Sequence, residues 1–562
     1  MSEYTATVID TTGIQPYIFG SNRLRENIGA SYLVDAATKA WVEDALQKLL
    51  GNNFYCPNEE KNTPEAKPWI EDGDLRAEVV YAGGGNAVIL FKSLADAVSF
   101  TKILTARALR EAPGLNLVVA HQSFDWKPKA LAQIIDNLRG KELEIKKQQR
   151  IPSVPLLGLG ITASCNSTQL PAIGKSDEFD APKEDSYFVS REVKYKLKAV
   201  KPANDKLKAF FKDIDAEKYD FPLRADNLGR TRDESSYVAV VHADGNGMGD
   251  RFKEHGEKFS DYNRQYIIAI RKLSWSVNQI GIAALRAVGN ALVRSITHHA
   301  DGAFIQSIDD RGKVIGQILL QQENGKIYLP FRPLVYGGDD VTFVCDGRIG
   351  LTLATLFLKE FEKEAADIKL LTACAGISIA KSHYPFAPSY ALSESLCGNA
   401  KKIVRETKKQ GNLEFSGLDW HIAASGLIGS IGEIREREYR INGNTVEKKL
   451  TMRPIRLKRD DGEWQNWDDF QQVVTEFITG EDWEGKRNKV IALREVLRKG
   501  SETTKQFLHA YRLSHLPVFS QASVEDLKIE GWIDGDSGER VCGYFDAIEA
   551  MEFYLPISGV KP

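Results

Sequence analysis

Apolar positions along the chain fall into two kinds of run that alternate. Short stretches rich in β-branched residues, at 6–10, 79–91, 238–244 and 334–344, read as strands because turn-forming residues bound them closely. Longer stretches at 30–50, 95–111, 262–295 and 351–364 return an apolar residue every three to four positions, the spacing of a helix with one buried face. Strands alternating with amphipathic helices predict a sheet covered on one face by helices.

The order occurs twice. The first strand ends Thr7-Val8-Ile9-Asp10 and continues Thr11-Thr12-Gly13-Ile14, while Val238 to Asp244 continues Gly245-Asn246-Gly247-Met248. Both read strand, acid, two residues, glycine, apolar residue. Each then runs through a helical stretch into strand, glycine turn, strand, with Gly83, Gly84, Gly85 and Asn86 opposite Gly337, Gly338, Asp339 and Asp340. Each continues with a helix, a glycine-containing strand (156–163 and 371–380), a polar loop with proline, and a basic closing helix (193–200 and 400–409). Duplication of this regularity implies two domains of one fold, at 1–205 and 235–420, joined by a charged, turn-rich linker at 206–234. Residues 421–562 form a partly helical C-terminal domain in this reading, with a hairpin tip at Asn442-Gly443-Asn444 and helical periodicity over 487–513.

Composition narrows the picture only modestly. The 562 residues are 43% hydrophobic and 27% charged, an ordinary globular balance with material for several cores. A net charge of -3, from 74 basic and 77 acidic residues, gives no general coat for nucleic acid, so any contact with RNA requires a local patch. No apolar stretch approaches the roughly 20 residues of a bilayer span, and the opening lacks a basic region followed by an apolar core, so no membrane contact and a cytoplasmic location are expected. Six cysteines, at 56, 165, 345, 374, 397 and 542, offer no Cys-x-x-Cys clip for zinc.

The acids of the second copy change the picture more. Adjacent carboxylates at a hairpin tip repel by roughly 1 to 4 kcal/mol at about 4 Å and effective dielectrics of 80 to 20, so a cation is expected beside them. Asp244, at the end of the neighbouring central strand, completes a set of three hard oxygen ligands suited to Mg²⁺ or Mn²⁺, and two ions are expected. Gly337 and Gly338 permit the sharp turn and a close nucleotide. Gly245-Asn246-Gly247, between the first acid and a helix, is expected to offer N–H groups to a triphosphate, with Lys401 near the outer phosphates. The first copy keeps the glycine turn and loses the acid pair, so it is read as a degenerate domain, with Asp10 an unmatched polar strand end.

Other features carry blander readings. His298-His299-Ala300-Asp301 reads as a polar helix end, and His421 beside Trp420 as a packed histidine. His242, two residues before Asp244, shares its face and reads as a hydrogen-bonded strand histidine near the site. The basic runs at 146–150, 194–201 and 408–409 read as solvated helix faces that can follow an RNA backbone.

Together these residues resemble the large, polymerase-like subunit of type III CRISPR effector complexes. The matching segments are Tyr336 to Asp340, His242 to Gly247, Ala375-Gly376-Ile377-Ser378-Ile379-Ala380-Lys381, Ala400-Lys401 and Leu418-Asp419-Trp420-His421. The opening Gly13-Ile14-Gln15-Pro16-Tyr17-Ile18-Phe19, with Arg23 and Gly29-Ala30-Ser31, is similar to that family's first palm. The resemblance implies an α+β fold of two ferredoxin-like palm domains followed by a mostly helical C-terminal region. It further implies a Mg/Mn-dependent nucleotidyltransferase that converts ATP into a signalling, usually cyclic, oligoadenylate in antiviral defence, with guide RNA, target RNA and other type III CRISPR subunits as partners. The chain departs from that family in having no His-Asp dipeptide of an HD nuclease and no zinc element. Stand-alone or homo-oligomeric action, a non-catalytic RNA-binding scaffold, and an enzyme joining AMP to another small acceptor are the alternatives. The hairpin also resembles that of diguanylate cyclases, but Asp340-Val341 departs from their acid and phenylalanine.

Overall fold

The structure is a computed structural model and describes residues 3–58, 63–126, 131–149, 160–179, 181–228, 236–309, 311–362, 371–423, 429–441, 448–459, 463–520, 525–535 and 538–557. In the first domain the strand Glu3–Thr12 lies at the centre of an antiparallel sheet, between Asn86–Phe91 and Asn116–Asp125. Ala77–Gly83 follows outside Asn86–Phe91, and the two-residue strand Phe54–Tyr55 pairs parallel at the edge. In the second domain Tyr237–Gly245 is central, between Asp340–Asp346 and Ala373–Lys381, with Phe331–Gly337 outside the former and Gly417–Ala423 outside the latter. The shared four-strand order with two crossover helical segments is the ferredoxin-like palm, present twice.

The duplication extends to an irregularity. Register slips between Val79 and Tyr81 in one hairpin and between Pro333 and Val335 in the other, four residues before Gly83 and Gly337. A bulge bends its strand and raises the local twist. Here it falls at the same distance before each glycine turn.

Helices cover both faces of each sheet, where the alternation predicted one. In the first domain, Ile9, Val79 and Ile89 pack against helices Leu24–Thr38, Ala40–Leu50 and Leu94–Glu111. Val8, Val80 and Val88 pack on the other side, against residues 131–143 and against Tyr266, Ile267 and Ile270 of the long helix Asn263–Arg294. In the second sheet, Val241, Ala243 and Phe343 face the core shared with that helix and Gly350–Phe361, while Val240, Leu334 and Val344 join the core of the first domain. Unbroken apolar runs such as Val238 to Val241 are what a strand buried on both faces requires.

Two boundaries differ from the pattern reading. The fourth strand of the first sheet is Asn116–Asp125 rather than 156–163, of which 156–159 lie outside the described residues and 160–163 form a turn and loop. His121, Gln122 and Ser123 interrupt the apolar alternation, because this strand is only partly buried. His298 and His299 end a strand, Ile296–His299, and not a helix; they turn into Gly302–Ile308 in an inserted three-stranded sheet.

Within 206–228, Leu207, Phe211 and Phe221 are buried in the core of the second domain, and Tyr219–Asp220 pairs parallel with Lys326–Tyr328. The C-terminal region is mostly helical, with a small four-stranded sheet. The tip at 442–444 lies outside the described residues, but its flanks Arg440–Ile441 and Lys448–Lys449 pair antiparallel. Ile455–Arg456 adds a strand beside Gly417–Ala423, and Trp467, Phe470 and Trp532 extend the core of the second palm. Among the described residues no helix is long and apolar enough to cross a membrane.

Candidate active site

The register of the second sheet brings the three acids together. Val341 pairs with Ala243 and Thr342 with His242, so the next step along the ladder sets Asp340 beside Asp244. Gly337 pairs with Asp340 across a two-residue turn, Gly338-Asp339, and Gly337 (φ 137°) and Gly338 (φ 75°) sit in backbone regions that side chains disfavour. Asp339, in the turn, lies over Gly245. A Cβ on Gly245 would stand 3.0 Å from Asp339 Oδ2 and 2.9 Å from its Cβ, so only glycine admits this approach.

Asp340 points to the face that carries His242, whose Nδ1 stands 3.5 Å from Asp340 Oδ1 and 3.1 Å from Thr342 Oγ1. The Lys401 ammonium donates to Asp244 Oδ2 at 2.5 Å and to the Gly245 carbonyl at 2.8 Å, which makes it the immediate cationic partner of the strand acid. Glu394, seven residues before Lys401 on the helix Phe386–Lys409, accepts a hydrogen bond from Gln15 Nε2 of the first domain at 2.7 Å.

One cation among these acids leaves negative charge in excess. Burial, followed by the Asp244 carboxylate, pushes Asp339 up to about 6. Burial and then Asp244 push Asp340 up to about 7, with Glu394 adding to the shift and Lys401 opposing it. Its side chain is 52% exposed, so water in the cleft also screens this carboxylate. His242 is held below its usual range by burial, against the pull of Asp244 and Glu394.

These shifts set a stability trend. An aspartate whose folded value lies above its unfolded value of about 4 favours folding fully below that pH and loses the contribution as pH rises through the folded value. The metal-free protein is therefore expected to lose melting temperature between about pH 4 and 7 through this pair. Asp339→Asn with Asp340→Asn should flatten the trend. Differential scanning of both proteins in chelator across that range checks it, and equal slopes would contradict the assignment.

Among the described residues no group of three or more His, Cys, Asp or Glu side chains is gathered closely enough to hold a metal ion. The acids nonetheless suit a hard divalent cation. Their donors are carboxylate oxygens, and among the described residues the cation that opposes their mutual repulsion is Lys401. Asp244, Asp339 and Asp340 are thus neighbours without a closed cage, and Asp244 is held by Lys401.

The turn after Asp244 is divided in its roles. Asn246 is buried: its Nδ2 donates to Thr372 Oγ1 and the Phe415 carbonyl at 3.0 and 3.1 Å, and its N–H to the Thr372 carbonyl at 2.9 Å. These groups face inward and are not offered to a ligand. Gly247 (φ 60°) caps the helix Met248–Glu257, whose first N–H groups have no intrahelical acceptor.

A cavity of about 840 Å³ lies between the domains, within the range of small-molecule sites. Gly83 to Asn86 line it from one side and Gly337 to Asp340 from the other, while Asp244 to Gly247 and Lys401 do not line it. Asp10 also lines it, and it is not unmatched: Lys147 Nζ stands 2.9 Å away. Asp10 pairs with Asn86 in the ladder, so each palm places a lysine on its strand-end acid.

The basic runs are largely engaged. Lys146 donates to the Val119 carbonyl, the buried Lys196 to the Tyr17 carbonyl, and Lys408 to Glu414. His421 is packed, pushed down to about 3 by burial and then by Arg453 and Arg435. Asp419 beside it is fully buried on Arg435, so this motif holds the fold together.

Pattern reading missed Glu394 and the contacts of the long helix. Only the seven-residue spacing of Glu394 and Lys401, which puts both on one helix face, could have signalled the first.

No protein-family model matches the chain, and no curated protein does. Solved structures do match over nearly its whole length. A Csm1-Csm4 cassette in complex with one ATP superposes with a TM-score of 0.50 at 12% identity, covering 98% of this chain and 70% of the other. The chain has the Csm1 fold. Csm1 of T.onnurineus itself matches with a TM-score of 0.46 at 12% identity, over 99% of this chain and 70% of its own. At such identity the likeness to Csm1 is one of architecture.

Proposed function

We propose that this chain is a metal-dependent nucleotidyltransferase that converts ATP into a signalling oligoadenylate, as the large palm subunit of a type III CRISPR RNA-guided complex. The observation that carries the reading is the convergence of Asp244, Asp339 and Asp340, the last two lining a cavity of nucleotide size and pushed up by burial and then by the Asp244 carboxylate. The shared fold supports it, since a Csm1-Csm4 cassette is known in complex with ATP.

In this reading a ribose hydroxyl loses its proton and attacks the α-phosphate of a second nucleotide; a phosphoester forms and pyrophosphate leaves. Asp244, Asp339 and Asp340 would hold the divalent cations, which lower the pKa of the hydroxyl and offset charge on the leaving group. Gly337 and Gly338 keep side chains out of the approach. Lys401 starts on Asp244, and its ammonium is free to turn to the outer phosphates once cations replace it on the carboxylate. The first N–H groups of Met248–Glu257 carry a partial positive charge that would favour a phosphate bound at that end. Gly245 serves by admitting Asp339, and Asn246 by bracing the turn from within.

The test is incubation with ATP and Mg²⁺ or Mn²⁺, with and without guide RNA, target RNA and partner subunits. Pyrophosphate release and mass spectrometry of the products are read together. Adenylate oligomers, linear or cyclic, are expected. A product joining AMP to a different acceptor would correct the product, and no pyrophosphate under any condition would leave a scaffold.

A further inference from the structure

The long helix Asn263–Arg294 touches the glycine hairpins of both domains. Near its start Arg264 donates to both carboxylate oxygens of Glu78, each at 2.7 Å. Arg271, fully buried, donates to Glu78 Oε1 at 2.7 Å and to the carbonyls of Val79 and Val80 at 2.6 and 3.1 Å. These acceptors sit at the bulge of Ala77–Gly83, the strand that leads into the first glycine turn. Seven residues further on, Asn278 Oδ1 accepts the N–H of Gly338 at 3.1 Å. One turn beyond that, a Cβ on Gly281 would stand 2.1 Å from the Gly338 carbonyl oxygen.

Both contacts answer a local need. Glycine inside a helix costs about 1 kcal/mol against alanine. At 281 it lets the helix backbone lie directly against the turn. Gly338 lies beyond the last ladder pair, Gly337 with Asp340, so its N–H needs an acceptor from outside the hairpin. Asn278 supplies one. Spacing by seven sets 264, 271 and 278 on one helix face, so a single rigid element grips the first hairpin at its bulge and the second at its turn.

We infer that Asn278 and Gly281 are positioning residues that fix the Asp339–Asp340 turn relative to Asp244, and that the Arg271–Glu78 clamp on the same helix holds the opposing glycine hairpin in register across the cavity. The catalytic consequence rests on the proposed nucleotidyl transfer; the structural one does not. Neither residue touches the reacting atoms, so their effect appears in turnover more than in binding. A displacement of about 1 Å in such a site costs about 100-fold in rate.

The experiment compares wild type with Asn278→Ala, Asn278→Asp and Gly281→Ala in the full chain. Hydrogen exchange is measured over residues 334–341 without ligand, together with kcat and KM for pyrophosphate release. Asn278→Ala and Gly281→Ala should raise exchange in this segment and lower kcat by about 100-fold, with KM within about threefold. Asn278→Asp keeps an acceptor oxygen and should restore protection and most of the turnover. Unchanged exchange in Asn278→Ala, or an Asn278→Asp variant as impaired as the alanine, would overturn the inference. Should Gly281→Ala fail to fold, the Asn278 pair decides. Should the wild type release no pyrophosphate, the exchange data still decide the positioning claim, and only the proposed activity falls.

Discussion

Pyrophosphate release from ATP is expected to fall by about 10³-fold or more when Asp339 and Asp340 are both replaced by alanine, because transition-state charge stabilisation worth several kcal/mol disappears with the cation site. The fold should tolerate the change. Both carboxylates are raised by burial and by Asp244, so removing them relieves repulsion, and the metal-free double variant should melt at or above the wild-type temperature at pH 8. A coupled pyrophosphate assay with a thermal scan of the same samples reads both. Activity within tenfold of wild type would remove these two residues from the chemistry.

The second large effect concerns stability. Arg453 is fully buried, with Nε 3.1 Å from Asp546 Oδ1, one amino group donating to the Trp420 carbonyl at 2.6 Å and the other 3.3 Å from Glu549 Oε2. It ties the C-terminal helix Phe545–Ala550 to Gly417–Ala423, a strand of the catalytic candidate's own sheet. Removing one partner of a buried ion pair strands the other charge, at a cost of about 3 to 5 kcal/mol. Arg453→Ala is expected to lose that much in denaturant unfolding, in a transition that takes the second palm with it. A variant that unfolds the C-terminal region alone would show that the two are not one cooperative core.

Much of this architecture was legible because it is written in short-range patterns. The strand and helix periods, the glycine turns and the strand-end acids each occupy a few neighbouring residues, and repeating them twice made the two palms readable. What escaped depends on segments distant in sequence. Asn116–Asp125 is half polar because only part of it is buried, so it lacks the alternation that marks a strand. Lys147 reaches Asp10 across most of a domain, and Gln15 reaches Glu394 across two. Asn246 looks like a phosphate-facing turn residue in one dimension and is a buried brace in three. Gly281 carried a faint signal, a glycine within a long helix, whose cause is a carbonyl 57 residues away in the chain.

The central claim, that these three acids gather divalent cations where a nucleoside triphosphate can reach them, is tested most directly by anomalous scattering from crystals soaked with Mn²⁺ and a non-hydrolysable ATP analogue. A manganese peak at about 2.1 Å from oxygens of Asp244 and of Asp339 or Asp340, with Lys401 moved off Asp244 toward phosphate, is the predicted result. Ordered nucleotide with no manganese at these carboxylates, and Lys401 still bound to Asp244, would contradict it.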